Sequence, residues 1–199
     1  MSLRHSYTLL APFYDLVAGP LFERARHASL WRLPVDCAAS VLIDGVGTGL
    51  DLPHLPVRHH YTALDLTRAM LARAVKRRVE LDIDWVEGDS ERLPFRDAAF
   101  DYVVLHLILA VVPHGDQALR EAARVVKPGG RLLVFDKFLP RGKRLSLRRM
   151  LSPIAGRIAT RTDVVLENLL DAVQGLDVID DRPALASGWF RYVTLQRRH

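Results

Sequence analysis

Val41–Leu50, VLIDGVGTGL, is the stretch on which the fold turns. Val41-Leu42-Ile43 is a short apolar run of the kind that forms a buried strand. The run breaks into Gly45, Gly47 and Gly49, with Thr48 between the last two. Glycines at such a turn let the backbone bend sharply and let a ligand approach the main chain with no Cβ in the way. A second strand, Tyr61–Leu64, ends on Asp65. A carboxylate at the tip of the second strand is placed to accept hydrogen bonds from both hydroxyls of a ribose. Strand, glycine turn and acid together predict a site for a nucleoside-containing cofactor.

Outward from this pair, strand and helix patterns alternate. Helix is expected over Leu66–Val79 and Gln117–Val126, and strand over Ile83–Val86, Tyr102–Leu105 and Arg131–Phe135. Leu50 to Leu55 precedes Pro56 and contains Pro53, so any helix there is short. Lys127-Pro128-Gly129-Gly130 reads as a turn, because Pro presets φ and Gly supplies positive φ after it. Residues 7–33 read as helical with a break at Gly19-Pro20, and Leu145 to Val173 as mostly helical. Leu176–Asp180 and Phe190–Gln196 close the chain as strands, joined by a loop holding Pro183 and Gly188. That loop is too short for a helical crossover, so these strands should run antiparallel. The expectation is an α/β fold: a seven-stranded, mostly parallel sheet with an antiparallel last strand, helices on both faces and an N-terminal helical cap. The 199 residues divide into a cap (1–36), a cofactor-binding core (41–136), a basic helical insert (137–173) and a terminal hairpin (176–196) of one domain.

Composition narrows the function. The lone Cys37 cannot form an internal disulfide. No apolar run reaches transmembrane length, and MSLRHSYTLL lacks the features of a signal peptide. A cytoplasmic protein is the expectation. The net charge of +5 is concentrated: Lys137, Arg141, Lys143, Arg144, Arg148, Arg149, Arg157 and Arg161 fall within residues 137–162, which hold no Asp or Glu. The rest of the chain is net acidic. Phe138, Leu139, Leu145, Leu147, Met150, Leu151 and Ile154 interleave with these cations. The mixture suits peripheral contact with an anionic membrane and equally a lid helix with a solvated face. No metal pattern is present: His59 and His60 are adjacent, unlike the ligands of a zinc site.

The glycine turn alone does not choose the cofactor. A nicotinamide dinucleotide fingerprint wants Gly or Ala at the sixth position, where Leu50 stands. Further segments decide: Asp84–Phe95 DWVEGDSERLPF, Phe100–Leu105 FDYVVL and Ala122–Phe135 AARVVKPGGRLLVF. With VLIDGVGTGL and YTALDLTRAMLARA, in this order and spacing, they resemble the motifs of class I S-adenosylmethionine-dependent methyltransferases, in the branch of quinone and small-molecule enzymes. The sheet is then Rossmann-like and the cofactor S-adenosyl-L-methionine. The flanks, APFYDLVAGPLFERAR and DKFLPRG, are similar to bacterial phosphatidylethanolamine N-methyltransferases.

The resemblance implies roles. Gly45, Gly47, Thr48 and Gly49 would run beneath the methionine and sugar of the cofactor. Asp65 would hold the ribose hydroxyls, although a helix cap is compatible with the same place. Leu66 would pack beside the adenine, Asp89 would bond its amino group, and Ser90 would present its backbone N–H nearby. Leu93-Pro94-Phe95 and Asp101 are expected to be structural. The family usually carries an acid two residues before the first glycine, where it helps hold the cofactor's amino group. Ile43 stands there, and the acid is Asp44. Successive strand side chains point to opposite faces, so Asp44 reaches that place only where the chain has already left the strand. Tyr7 and Tyr14 are the substitutes for that contact, with helix packing as the alternative for both and above all for Tyr7, so that Asp44 and Tyr14 stand as the candidate cofactor contacts. His106, ending the fourth strand, is the candidate catalytic residue and a candidate cofactor contact, with a satisfied core histidine as the alternative. His114 is a weaker candidate.

The implied reaction is methyl transfer to a small-molecule or lipid acceptor, with the amino head group of phosphatidylethanolamine as the specific suggestion. A quinone-type ring is the alternative acceptor, and a catalytically silent cofactor-binding protein the alternative function. Nucleic acid is disfavoured, because Leu105-His106-Leu107-Ile108 replaces the Asn/Asp-Pro-Pro-aromatic signature of many nucleic acid amino-methyltransferases.

Overall fold

The computed structural model describes residues 20–77, 80–139 and 164–199. Seven strands form one sheet: β1 Ser40–Asp44, β2 His60–Asp65, β3 Asp82–Glu87, β4 Phe100–His106, β5 Val126–Lys137, β6 Leu176–Leu185 and β7 Phe190–Arg197, in the order β3-β2-β1-β4-β5-β7-β6. β1 pairs in parallel with β2 and β4, β2 with β3, and β4 with β5, while β7 runs antiparallel to β5 and β6. The chain steps outward from β1 in one direction to β2 and β3, then restarts on its other side at β4. Ligands of open α/β sheets bind beyond the strand ends at this switch point.

Helices cover both faces. Helix α1 (residues 20–30) and α2 (Arg68–Val75) pack on one face, where Leu30 and Leu71 join Val41, Ile43, Val104 and Leu133. Helix α3 (Gly115–Val125) and α4 (Leu166–Asp171) cover the other, with Leu119 and Leu166 against Leu42, Leu105, Leu132 and Val134. β1 thus sends alternate side chains into two cores.

Several boundaries differ from the sequence expectation. α2 begins at Arg68 because Thr67 caps it, its Oγ1 accepting the Met70 N–H at 3.4 Å. The Lys127–Gly130 segment lies inside β5: Val126 pairs with Phe100, the ladder resumes at Tyr102 with Arg131, and Gly129 sits at φ 76°. A Pro-Gly-Gly bulge replaces the expected free turn. Pro183 belongs to β6, which tolerates it as an edge strand, and the reversal to β7 is made by Ala186–Gly188. The apolar residue Phe138, expected on an interfacial helix, is buried in the α3-side core. Its N–H donates to Trp189 O at 2.9 Å and that of Leu139 to Val164 O at 2.8 Å. The insert therefore leaves and returns to the sheet at one place. Residues 1–19, with Tyr7 and Tyr14, and residues 140–163, with most of the basic segment, lie outside the described residues.

Candidate functional site

The glycine turn leaves β1 in left-handed backbone, with φ of 77°, 56° and 80° at Gly45, Gly47 and Gly49. Neighbouring side chains crowd two of them. A Cβ on Gly45 would lie 2.7 Å from Ile108 Cδ1, and one on Gly49 would lie 2.7 Å from Leu52 Cδ1 and 3.1 Å from Ala74 Cα. Those two glycines serve packing against the β4 exit and α2. A Cβ on Gly47 would meet nothing nearer than Gly45 O at 4.0 Å. Gly47 is the point at which open space meets bare backbone. Thr48 is buried, and its carbonyl accepts Arg77 Nε at 2.6 Å.

Asp65 ties this turn to β2. Its Oδ2 accepts the Gly47 N–H at 2.9 Å, and its Oδ1 accepts the N–H and hydroxyl of Thr67 at 2.9 and 3.2 Å. Burial pushes its carboxyl up, against the Thr67 and Gly47 bonds that favour the charged form. Asp65 remains half-buried beside half-buried Leu66. Thr67, not Asp65, is the helix cap. Asp89 is exposed beyond β3, its Oδ1 accepting the Glu91 N–H at 2.9 Å.

The displaced acid has a definite home. Ile43 points into the α1/α2 core, so Asp44 points to the α3 side. There its Oδ1 accepts the Ser90 hydroxyl at 2.5 Å, and its buried Oδ2 has no hydrogen-bond partner. Ser90 is itself buried. Burial raises the Asp44 carboxyl to about 7, opposed by the Ser90 bond and reinforced by the charges of Asp65 and Asp89.

His106 ends β4, one residue beyond the rung that joins Asp44 to Leu105. It is buried with both ring nitrogens engaged: Nδ1 lies 2.8 Å from Asp51 Oδ1, and Nε2 lies 2.9 Å from Ser29 Oγ of α1. Its ring meets Phe135 edge-on at 5.7 Å. Asp51 also accepts Arg26 Nη1 at 2.9 Å. Burial pushes the Asp51 carboxyl up, but the guanidinium and the imidazole outweigh it and hold the group well below the usual carboxylate range. Arg26, Ser29 and Asp51 are absent from the sequence-derived site. The one available signal was an acid directly after the glycine turn, in GTGLDLP.

Beyond His106 the chain turns through Leu107 at φ 58°, a backbone conformation rare for a non-glycine residue. The turn is held by the Leu107 N–H on Phe135 O at 2.8 Å and by the Ala110 N–H on buried Asp136 Oδ2 at 3.1 Å. Burial raises Asp136 to about 6, against the bonds from Lys137 and Ala110 N–H. This elbow sets Ile108 over Gly45. The remaining expectations are structural. Asp101 accepts Ser40 N–H and Lys127 Nζ, Leu93 is buried, and Phe95 packs on Phe100 at 5.1 Å. His114 is exposed and bonded to Glu91. Among the described residues no cluster of His, Cys, Asp and Glu could hold a metal, and no helix is long and apolar enough to cross a membrane.

An open glycine backbone and a buried carboxyl, raised by two neighbouring carboxylates and with one oxygen lacking a donor, suit a ligand that carries hydroxyls and positive charge. Known proteins agree. Residues 43–134 match the family model described as a methyltransferase domain. Over 190 residues the chain is 30% identical to a phosphatidylethanolamine N-methyltransferase of Cereibacter sphaeroides, covering 93% of each protein. The chain belongs to the S-adenosylmethionine-dependent methyltransferases, and S-adenosyl-L-methionine is its cofactor. It is 47% identical over 81 residues to the ubiquinone/menaquinone biosynthesis C-methyltransferase UbiE of Bartonella tribocorum, a match covering 39% of this chain and 31% of that one. A solved structure from Thermotoga maritima, described as an S-adenosylmethionine-dependent methyltransferase and possible histamine N-methyltransferase, shares the fold. Its TM-score is 0.71 at 19% identity, over 98% of this chain and 99% of that one.

Proposed function

We propose that this methyltransferase acts on the amino head group of phosphatidylethanolamine. The observation that carries the reading is the extent of similarity. The match to the phosphatidylethanolamine enzyme takes in 93% of both proteins, flanks included, whereas the match to the quinone-ring enzyme covers 39% of this chain. Acceptor choice on a shared fold is made by such variable parts, not by the cofactor core.

In this reading Gly45, Gly47, Thr48 and Gly49 lie under the cofactor, with Gly47 in closest approach. Asp65 accepts the ribose hydroxyls with lone pairs left over from Gly47 and Thr67. Leu66, Asp89 and Ser90 surround the adenine. Asp44 Oδ2, which has no donor of its own, meets the methionine ammonium, together with Tyr14. His106 faces the methyl-transfer end from β4. Methyl transfer is an in-line displacement from an activated sulfonium, so alignment and exclusion of water supply much of the rate. The insert's two ends meet at Leu139 and Val164, and the sequence between them carries most of the basic residues of 137–162. Each cation near an anionic surface contributes about 1 kcal/mol, which supports a cytoplasmic protein held peripherally on the membrane.

The test is methyl transfer from radiolabelled S-adenosylmethionine to vesicles of phosphatidylethanolamine and phosphatidylglycerol, beside quinone precursors in detergent. Label in the phospholipid fraction is expected; label confined to the quinone ring would replace this acceptor with the alternative one. Asp65→Ala should weaken cofactor binding about 10–100-fold by calorimetry, since charge-assisted bonds to two hydroxyls are lost. Unchanged affinity would place the ribose elsewhere.

A further inference from the structure

An amine acceptor reaches the site as an ammonium and must lose a proton before it can attack. The described residues contain one continuous buried chain of groups at the right strand end. It runs from Arg26 through Asp51 and His106 to Ser29, with links of 2.9, 2.8 and 2.9 Å. Inside the contact between α1 and the sheet, apolar side chains would hold the two together at least as well. Buried ion pairs are often replaceable by apolar groups without loss of stability. The chain is also neutral if the imidazole is neutral: Arg26 and the ionised Asp51 cancel. In that state the carboxylate can only accept, so Nδ1 carries the hydrogen and Nε2 presents its lone pair. In that tautomer the Ser29 hydroxyl, 2.9 Å from Nε2, is the donor to that lone pair.

We propose that Asp51 is a positioning residue for methyl transfer: it fixes His106 with Nδ1 protonated, so that Nε2, reached through the Ser29 hydroxyl, takes the proton of the ammonium acceptor. This rests on the amine-acceptor reading above. The step balances as follows. The ammonium N–H passes its proton to Ser29 Oγ as the Ser29 O–H proton moves to His106 Nε2. The freed nitrogen lone pair forms the N–C bond to the methyl as the C–S bond breaks, and the sulfonium leaves as a neutral thioether. The imidazolium formed lies between the Asp51 carboxylate and Ser29. Arg26 opposes the imidazolium charge and keeps Asp51 ionised. His54, half-buried in the turn that follows Asp51, also feels that carboxylate, with His27 and Glu23 of α1 beside it.

Two arms test this on the full-length protein. Imidazole 15N spectra with histidine-labelled protein read the tautomer and require no acceptor. Single-turnover transfer to phosphatidylethanolamine vesicles reads kcat apart from KM. Because Asp51→Asn alone would take the Asp51 charge from a buried guanidinium, the informative variant is Arg26→Met with Asp51→Asn, which removes both charges at similar volume. His106 is expected in the Nδ1–H form in the wild type and to lose that bias in the paired variant. The same variant should lose about tenfold or more in kcat, and His106→Gln about 100-fold or more, with KM and cofactor affinity within about twofold. An unchanged tautomer in the paired variant, or a lost tautomer with kcat intact, overturns the role of Asp51. A wild type that leaves phosphatidylethanolamine unmethylated overturns the acceptor reading instead, and the spectra still decide the tautomer.

Discussion

Asp44 and Asp51 stand at the two ends of one glycine turn, and both are buried to within a few per cent, yet they are opposite kinds of acid. Asp44 faces the α3 side with one hydroxyl donor and one orphaned oxygen, and its carboxyl rises to about 7. Asp51 faces α1 between a guanidinium and an imidazole, and its carboxyl falls well below the ordinary range. Burial penalises both charges. What separates them is whether the protein itself supplies the countercharge. Asp51 has been given one and is complete. Asp44 has not, and a cation brought by a ligand is what would complete it.

The largest effect should come from breaking the completed side. Asp51→Ala leaves Arg26 buried without its carboxylate and the His106 Nδ1–H without an acceptor. Loss of one partner of a buried pair costs about 3–5 kcal/mol. Urea unfolding at neutral pH should show a loss of this order, part of it recovered when Arg26→Met is added. A loss below 1 kcal/mol would mean that Asp51 and Arg26 do not depend on each other and would erase the contrast with Asp44.

The second test sharpens the contrast through pH. The Asp44 carboxyl is raised in the fold from 3.8 to about 7, so the folded state binds more protons than the unfolded chain between those values. Its contribution is favourable below the unfolded pKa and is lost as pH rises towards 7, a penalty of about 4 kcal/mol above it. Asp136, raised to about 6, acts with the same sign. Asp51 acts with the opposite sign: its stabilisation is present above the ordinary carboxylate range and fades in acid. Asp44→Asn should therefore be more stable than the wild type at pH 8 and gain little at pH 4. The same variant should bind S-adenosylmethionine more weakly if the orphaned oxygen meets the ammonium. A pH-independent difference between variant and wild type would show that Asp44 is already ionised in the fold.

The strand before the glycine turn, the turn itself and the place of Asp65 could be read from the chain because each is a local pattern: an apolar run, three spaced glycines and an acid one strand later. Ile43 and Asp44 were readable as a departure, and strand alternation set Asp44 on the face opposite Ile43. Its partner was not readable, because Ser90 is forty-six residues away and meets it only once β3 has been laid beside β2. The Arg26–Asp51–His106–Ser29 chain was hidden for the same reason. Its links span 25, 55 and 77 residues, and on α1 both Arg26 and Ser29 look like ordinary helix residues. Phe138 was misplaced because an aromatic among cations suits an interface as well as a core, and only the folded sheet shows its ring buried on the α3 side.

The smallest effect should come from Ser90→Ala, and its pH dependence is more telling than its size. Below neutral pH the protonated Asp44 loses one ordinary hydrogen bond, worth about 1 kcal/mol. Above it the ionised carboxylate would lose its one side-chain donor among the described residues, and bonds to charged groups are worth about 1.5–3 kcal/mol. The destabilisation measured in urea should therefore be larger at pH 8 than at pH 5. Because the alanine cannot stabilise the anion, the Asp44 carboxyl should move further up. Added S-adenosylmethionine should recover more stability at pH 8 than at pH 5, as a ligand ammonium takes over from the missing hydroxyl. An equal cost at both values, unaffected by the cofactor, would mean that the Asp44–Ser90 contact is packing rather than charge compensation, and that the open end of the glycine turn is not awaiting a cation.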